Sequence, residues 1–235
     1  MDNSRVAINR ITGSIGCLDA ANLQATLIST TGFHCHVWQC AWLMSKGEEH
    51  TAFDCVIKKH LHPCTLRETR ILYKEYRTLK SRLEDMVPEA VFVPTLVDGQ
   101  ENVIVIAETV YPWFNIANPV NDSEAIPLLR RLPKARMQLR RFVEAAREWY
   151  ETGEKVIDLW GLDNLVLDRD RQIRYIDSFR VFFYADVLHL LDEVEDTLRD
   201  KIEVSLQRRE YLEHLLREAS IVCVGFVAED EPAAG

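Results

Sequence analysis

No apolar run in this chain approaches the roughly 20 residues that a membrane-crossing helix needs. The first thirty residues also lack the basic, apolar and small-residue order of a secretion signal. We therefore expect a cytoplasmic protein with no membrane span. Positive charge is in short supply: 28 Lys and Arg against 37 Asp and Glu leave a net charge of −9, which argues against nucleic acid as a partner. Six cysteines, Cys17, Cys35, Cys40, Cys55, Cys64 and Cys223, occur without paired short spacings, so reduced thiols are expected and no disulfide framework is legible. His34, Cys35, His36 and Cys40 invite a zinc reading. Successive strand residues face opposite ways, however, and no second ligand pair has structural-zinc spacing. Internal repeats and long low-complexity segments are absent as well.

What is present is apolar substance, 47% of 235 residues, enough to bury one two-lobed domain or two small ones. Branched and aromatic residues mark strands at 25–29, 37–44 and 52–58, with 45–50 as a turn. Thr65 followed by Glu68 has the form of a helix cap, and Leu72, Tyr76, Leu79 and Leu83 then repeat at helical spacing. Strands at 91–97 and 103–107 follow, turning at Asp98-Gly99. Pro112, Pro119, Pro127 and Pro133 fall in the next connection, the best place for a boundary between 1–110 and 111–235. A short helix is expected within 121–131 and a strong one after Pro133, with Leu139, Phe142, Val143 and Ala146 on one face and Gly153 at its end. Two further helices, 186–198 and 201–217, and a strand or buried tail at 221–227 complete the expected order.

Polar chemistry concentrates between Asp158 and Phe179. Short apolar strands at 165–167 and 173–176, joined by a polar turn, would hold Asn164 and Asp177 at one mouth, with Asp158 just upstream. Carboxylate and amide oxygens converging in this way suit Mg2+, which binds through them together with water and substrate phosphates. With its thirteen-residue gap from Asn164 to Asp177, this stretch resembles the protein-kinase-like superfamily. It more closely resembles the compact bacterial branches, such as the aminoglycoside- and choline-kinase-like enzymes and the small PhoP-regulated kinase-like proteins. The resemblance implies that Asn164 and Asp177, the latter in Asp177-Ser-Phe179 where the family has Asp-Phe-Gly, bind metal.

Other segments fit the same resemblance in order. Thr31-Gly32-Phe-His34-Cys35-His36-Val37 is similar to the glycine-rich loop over nucleotide phosphates. Gly32 stands at the central glycine and Val37 at the valine that packs on the base, while Thr30 and Cys35 replace the flanking glycines; a simple β-turn is the alternative reading. Cys55-Val-Ile-Lys58 matches Val-Ala-Ile-Lys, making Lys58 the phosphate-holding lysine. Glu75, seventeen residues on in Glu75-Tyr-Arg-Thr-Leu79, is then the glutamate that orients Lys58, with Glu68 left as the cap. Ile106 would approach the gatekeeper position, and backbone groups of Glu108 to Val110 would bind an adenine edge; an ordinary buried strand is the alternative.

Two departures bear on chemistry. Val156 stands in place of the family's catalytic-loop His, and Asp158 lies six residues before Asn164 where the family has five. An insertion at Trp160-Gly161 would leave Asp158 as the acceptor-positioning base and Asp163 as a brace; the alternatives are Asp163 as the working carboxylate, or no base. The 56 residues after Phe179 contain no Ala-Pro-Glu, which favours a hydroxyl of a small molecule or lipid-linked sugar over one of a protein as acceptor. Arg130, Arg131, Lys134, Arg136, Arg140 and Arg141 form either solvated surface or, if they converge, a receiver for an anion. The expectation is thus an α+β, two-lobed protein-kinase-like fold using ATP and Mg2+ for phosphotransfer, with a catalytically weak or inactive nucleotide sensor or scaffold as the rival.

Overall fold

Alternating apolar positions in the first half of the chain build a five-stranded antiparallel sheet in the spatial order β1-β2-β3-β5-β4. The strands are β1 (Ala25–Ser29), β2 (Cys35–Lys46), β3 (Glu49–His60), β4 (Ala90–Val97) and β5 (Gln100–Glu108). The computed structural model describes residues 25–30, 35–46, 49–186 and 196–221. Asp98 and Gly99 join β4 to β5 at φ 52° and 78°. Positive φ at both central residues is what a two-residue hairpin turn asks for. Directly opposed residues of antiparallel strands point the same way, so Val37, Lys58 and Val105 share one face of the sheet, joined by Val56 and Ala107 two residues along.

That face is covered by α1 (Leu66–Leu83). Thr65 starts the helix with the anticipated capping box: its hydroxyl accepts from Glu68 N at 3.2 Å while its own N–H donates to Glu68 Oε2 at 2.7 Å. Leu72, Tyr76, Leu79 and Leu83 form the buried stripe. Phe179, from the distant hairpin, closes this layer together with Leu72, Val103 and Val105.

The second half is more helical. It contains α2 (Asp122–Arg131), α3 (Pro133–Gly153) and α4 (Asp196–Ser220). Two small sheets lie between them: β6 (Pro112–Phe114), β8 (Leu165–Asp168) and β9 (Ile173–Tyr175) in the order β6-β8-β9, and β7 (Lys155–Ile157) paired with β10 (Phe182–Tyr184). The architecture is therefore mixed α+β, β-rich in its N-terminal region and more helical in its C-terminal region. One core cluster runs through Leu79 and Leu83 of α1, Phe142 of α3, Tyr175 of β9 and Leu212 of α4, and so crosses the boundary expected at 110/111.

Several expectations needed adjustment. The break expected between 198 and 201 is absent, because Asp196–Ser220 is one continuous helix; Ile202, Leu212 and Leu215 keep a single buried face along it. Residues 1–23, most of the helix expected at 186–198 and the segment 222–227 lie outside the described residues. Strands β6, β7 and β10, three residues each, were too short to leave a period in the sequence. The basic cluster does not converge. Arg130 and Arg136 bond to Glu218 O and Ala219 O at the end of α4, Lys134 to Gln172, and Arg141 to Glu84. Two of these cations thus bond to carbonyls of the last helical turn, where positive charge is favoured.

Phe142 is fully buried and stacks on Tyr175 with ring centroids 6.0 Å apart. Phe142→Ala should destabilise the fold by about 3–5 kcal/mol, read as a lower urea midpoint with an unchanged slope.

Candidate active site

The β8–β9 hairpin brings two predicted residues to one mouth. Ile176 N donates to Asn164 O at 2.9 Å, extending the ladder by one rung, so Asp177 leaves the hairpin beside Asn164. Asp177 Oδ1 caps the turn that follows, accepting from Ser178 N at 2.6 Å and Phe179 N at 3.3 Å. Asn164 Nδ2 donates to Asp158 O at 3.1 Å. Among the described residues, neither Asp177 Oδ2 nor Asn164 Oδ1 receives a protein donor. Both are left as oxygen acceptors at the mouth.

Asp158 sits in the loop between β7 and the 3-10 turn Leu162–Asn164 and is 5% exposed. Its Oδ1 accepts from Trp160 N at 2.8 Å. Its carbonyl takes both Asn164 Nδ2 and the hydroxyl of buried Tyr175, the latter at 3.0 Å. Burial, and secondly the charge of Asp177, push the Asp158 carboxyl up to about 7, against the opposing pull of the Trp160 and Gly161 amides and of Lys201. The neighbouring carboxylate has a different task. Asp163 is exposed and accepts from Asn115 Nδ2 at 3.1 Å, bracing the loop against the segment after β6. Gly161 lies against Asn164, and a Cβ there would come within 2.6 Å of Asn164 Oδ1. Glycine here is the condition for Asn164 to turn inward.

Lys58 reaches this mouth from the sheet, while Glu75 does not. The Lys58 ammonium, 7% exposed, donates to Ile176 O at 2.6 Å and Ser178 Oγ at 3.2 Å, the residues on either side of Asp177. No carboxylate lies within ion-pair distance of it among the described residues. Glu75 instead accepts from Tyr184 OH at 2.7 Å on the far side of α1, where burial raises its carboxyl above the usual range. The cause is topological: β10, held by its pairing with β7, brings the Tyr184 hydroxyl to Glu75. The expected Lys58–Glu75 pair is therefore not made in this conformation.

On the side expected for a nucleotide base, Val37 shares the face of Lys58. Ile106 does not. It opposes Ile57, one step out of phase with the Lys58–Val105 pair, so Val105 and Ala107 take the place expected for Ile106. The Glu108 amide is occupied by Glu89 O at 2.9 Å and its carboxylate by Arg174 at 3.0 Å. The Val110 amide meets no acceptor among the described residues. Asp54 ties this segment to the sheet by accepting from Thr109 and Tyr111. Gly32 lies outside the described residues. Cys35, from the same expected loop, is buried, and its thiol is pushed up to about 11 by burial, with Lys58 pulling it down and Asp177 pushing it up.

The sequence reading missed Tyr175, Ser178 and Tyr184. Each acts across a gap of 17 to 120 residues, which no local period could report. Among the described residues no group of three or more His, Cys, Asp or Glu is placed to hold a metal ion by itself. The oxygens of Asn164 and Asp177 nevertheless fit Mg2+, which needs only one or two protein carboxylates when substrate phosphates complete its shell. No protein-family model matches the chain, and no curated protein matches it in sequence.

Two outcomes follow from this geometry. Gly161→Ala should cost about 1–3 kcal/mol by forcing Asn164 aside. Gly153→Ala should cost little, since its new Cβ would meet only the flexible Lys155 side chain at 3.7 Å. Thermal melts of the two variants side by side decide this. The second outcome concerns Asp158 in metal-free buffer. A carboxyl whose folded pKa is raised supplies stability that is complete below its unfolded value, near 3.8, and lost as pH rises through about 7. Asp158→Asn should thus melt above wild type at pH 8, with the difference nearly gone at pH 4.

Proposed function

We propose that the chain is an ATP- and Mg2+-dependent phosphotransferase of protein-kinase-like, two-lobed fold that moves the γ-phosphoryl group to a hydroxyl. The reading rests on one observation above the others: the buried Lys58 ammonium grips the residues on both sides of Asp177, at the mouth that Asn164 and Asp158 share. A phosphate-holding cation and a set of hard oxygens are then available to one ligand.

In this reading Lys58 holds nucleotide phosphates, Val37, Val56 and Ala107 pack against the base, and the Val110 amide donates to its edge. Asn164 and Asp177 would hold Mg2+, which neutralises phosphate charge as it shifts toward the leaving group. Asp158 orients the acceptor hydroxyl and takes its proton as the hydroxyl oxygen bonds to the γ-phosphorus and the bond to the departing ADP oxygen breaks. A carboxyl raised toward neutrality is suited to exchanging a proton at working pH. The acceptor class left by the sequence is a small molecule, a lipid-linked sugar or a protein hydroxyl.

The capture of Glu75 by Tyr184 favours a second reading, a nucleotide sensor or scaffold that turns over weakly. Binding and hydrolysis of ATP, measured with and without Mg2+ for wild type, Lys58→Met and Asp177→Ala, separate the two. Phosphotransfer requires turnover in wild type and a loss of about 10²-fold or more in Asp177→Ala at unchanged melting temperature. Tight binding without turnover would support the sensor, and absence of binding in wild type would refute phosphotransfer and sensing alike and leave the scaffold.

A further inference from the structure

The candidate loop is held from below by α4, a helix to which the sequence assigned no part in the site. The Arg208 guanidinium donates from Nη1 to both Leu159 O and Trp160 O. Ser205, 1% exposed, accepts from Leu159 N at 3.2 Å. Burial lowers the Arg208 pKa, and the charge of Asp158 pulls it back up, so the cation lies within the field of the carboxylate without touching it.

The peptide bond turns this grip into a direction. A peptide unit is planar and trans, so its C=O and N–H point to opposite sides. The carbonyl of Leu159 belongs to the same plane as the amide of Trp160, and the carbonyl of Trp160 to that of Gly161. Arg208 fixes both carbonyls toward α4. Both amides are thereby aimed at Asp158, whose Oδ1 accepts from Trp160 N at 2.8 Å and whose charge the Gly161 amide also stabilises. Two rigid planes connect one cation to one carboxylate.

We infer that Arg208 is a positioning residue of the active loop, acting on the Asp158 carboxylate through the peptide planes 159–160 and 160–161. The inference rests on the phosphotransfer reading for its consequence in turnover, but the relay itself does not. A lysine would keep the charge but not the fixed geometry, because the two N–H bonds of Nη1 are held in the guanidinium plane while an ammonium turns freely about its last bond.

The test separates the relay from the reaction. Amide hydrogen exchange at Trp160 and Gly161 is measured in wild type, Arg208→Met and Arg208→Lys, alongside Mg2+-dependent ATP turnover and ATP affinity. The relay requires exchange at both amides to rise by about 10-fold or more in Arg208→Met relative to the amides of β8, with Arg208→Lys intermediate. Where wild type turns ATP over, kcat should fall by about 10²-fold with nucleotide affinity within a few-fold, and added guanidinium should restore part of it in Arg208→Ala. Unchanged exchange at both amides in the folded Arg208→Lys or Arg208→Met protein overturns the inference, whatever turnover does. Raised exchange in a protein that never turns ATP over sustains the relay and refutes the phosphotransfer reading.

Discussion

Among the described residues the buried Lys58 ammonium meets no carboxylate and is satisfied by neutral oxygens, and much of this structure follows from that arrangement. Its partners, Ile176 O and Ser178 Oγ, lie 118 and 120 residues away in the chain. Hydrogen bonds to a charged donor are stronger than neutral ones, and leaving such a donor unpaired in the interior is costly. The contact therefore pins the N-terminal sheet to the exit of the β8–β9 hairpin. Phe179, next in the chain, drops into the layer between the sheet and α1 and meets His60 and Phe92 edge-on. The sheet, the helix and the hairpin are registered to one another by a single lysine and the aromatic ring beside its partners.

The loop on the other side of the mouth is fixed differently. Leu159 anchors it in the core, and its backbone groups find partners one by one: Leu159 N on Ser205, Leu159 O and Trp160 O on Arg208, Asp158 O on Tyr175 and Asn164. Complete pairing of buried backbone polar groups is the usual requirement for burying an irregular segment. Here it is met by side chains from α4 and the hairpin. A carboxylate as buried as Asp158 is then held in one place by the backbone around it.

Features set by near neighbours in sequence were legible in advance. The cap at Thr65, the stripe Leu72 to Leu83, the turn at Asp98-Gly99 and the shared mouth of Asn164 and Asp177 each depend on a few consecutive residues. The different partners of Asp163 and Asn164 fit the rule that adjacent side chains point apart. What could not be read was the choice between equivalent faces. Alternation says that Val105 and Ile106 face opposite ways but not which one meets Lys58; that is decided by pairing with β3. The Glu75 direction was hidden for a related reason, since it depends on a strand of three residues whose partner lies 27 positions earlier. Arg208 sits among other charged residues on a long helix, and only the fold distinguishes it from its neighbours.

The charges at the mouth also say something by what they do not do. Among the described residues, Lys58 bonds to both chain neighbours of Asp177 yet forms no ion pair with Asp177, and Asp158 has Asp177 as its first charge neighbour with Lys201 pulling the other way. A network serving stability alone would gain by closing these charges on one another, because an unpaired buried charge is among the most destabilising groups a fold can carry. Keeping them apart leaves one cation and separate acceptor oxygens facing the same space. A ligand carrying both phosphate and a bound cation is complementary to each part at once, whereas a simple anion would satisfy Lys58 and be repelled by the carboxylates. In the phosphotransfer reading proposed above, that asymmetry would favour a metal–nucleotide complex over free phosphate as the occupant.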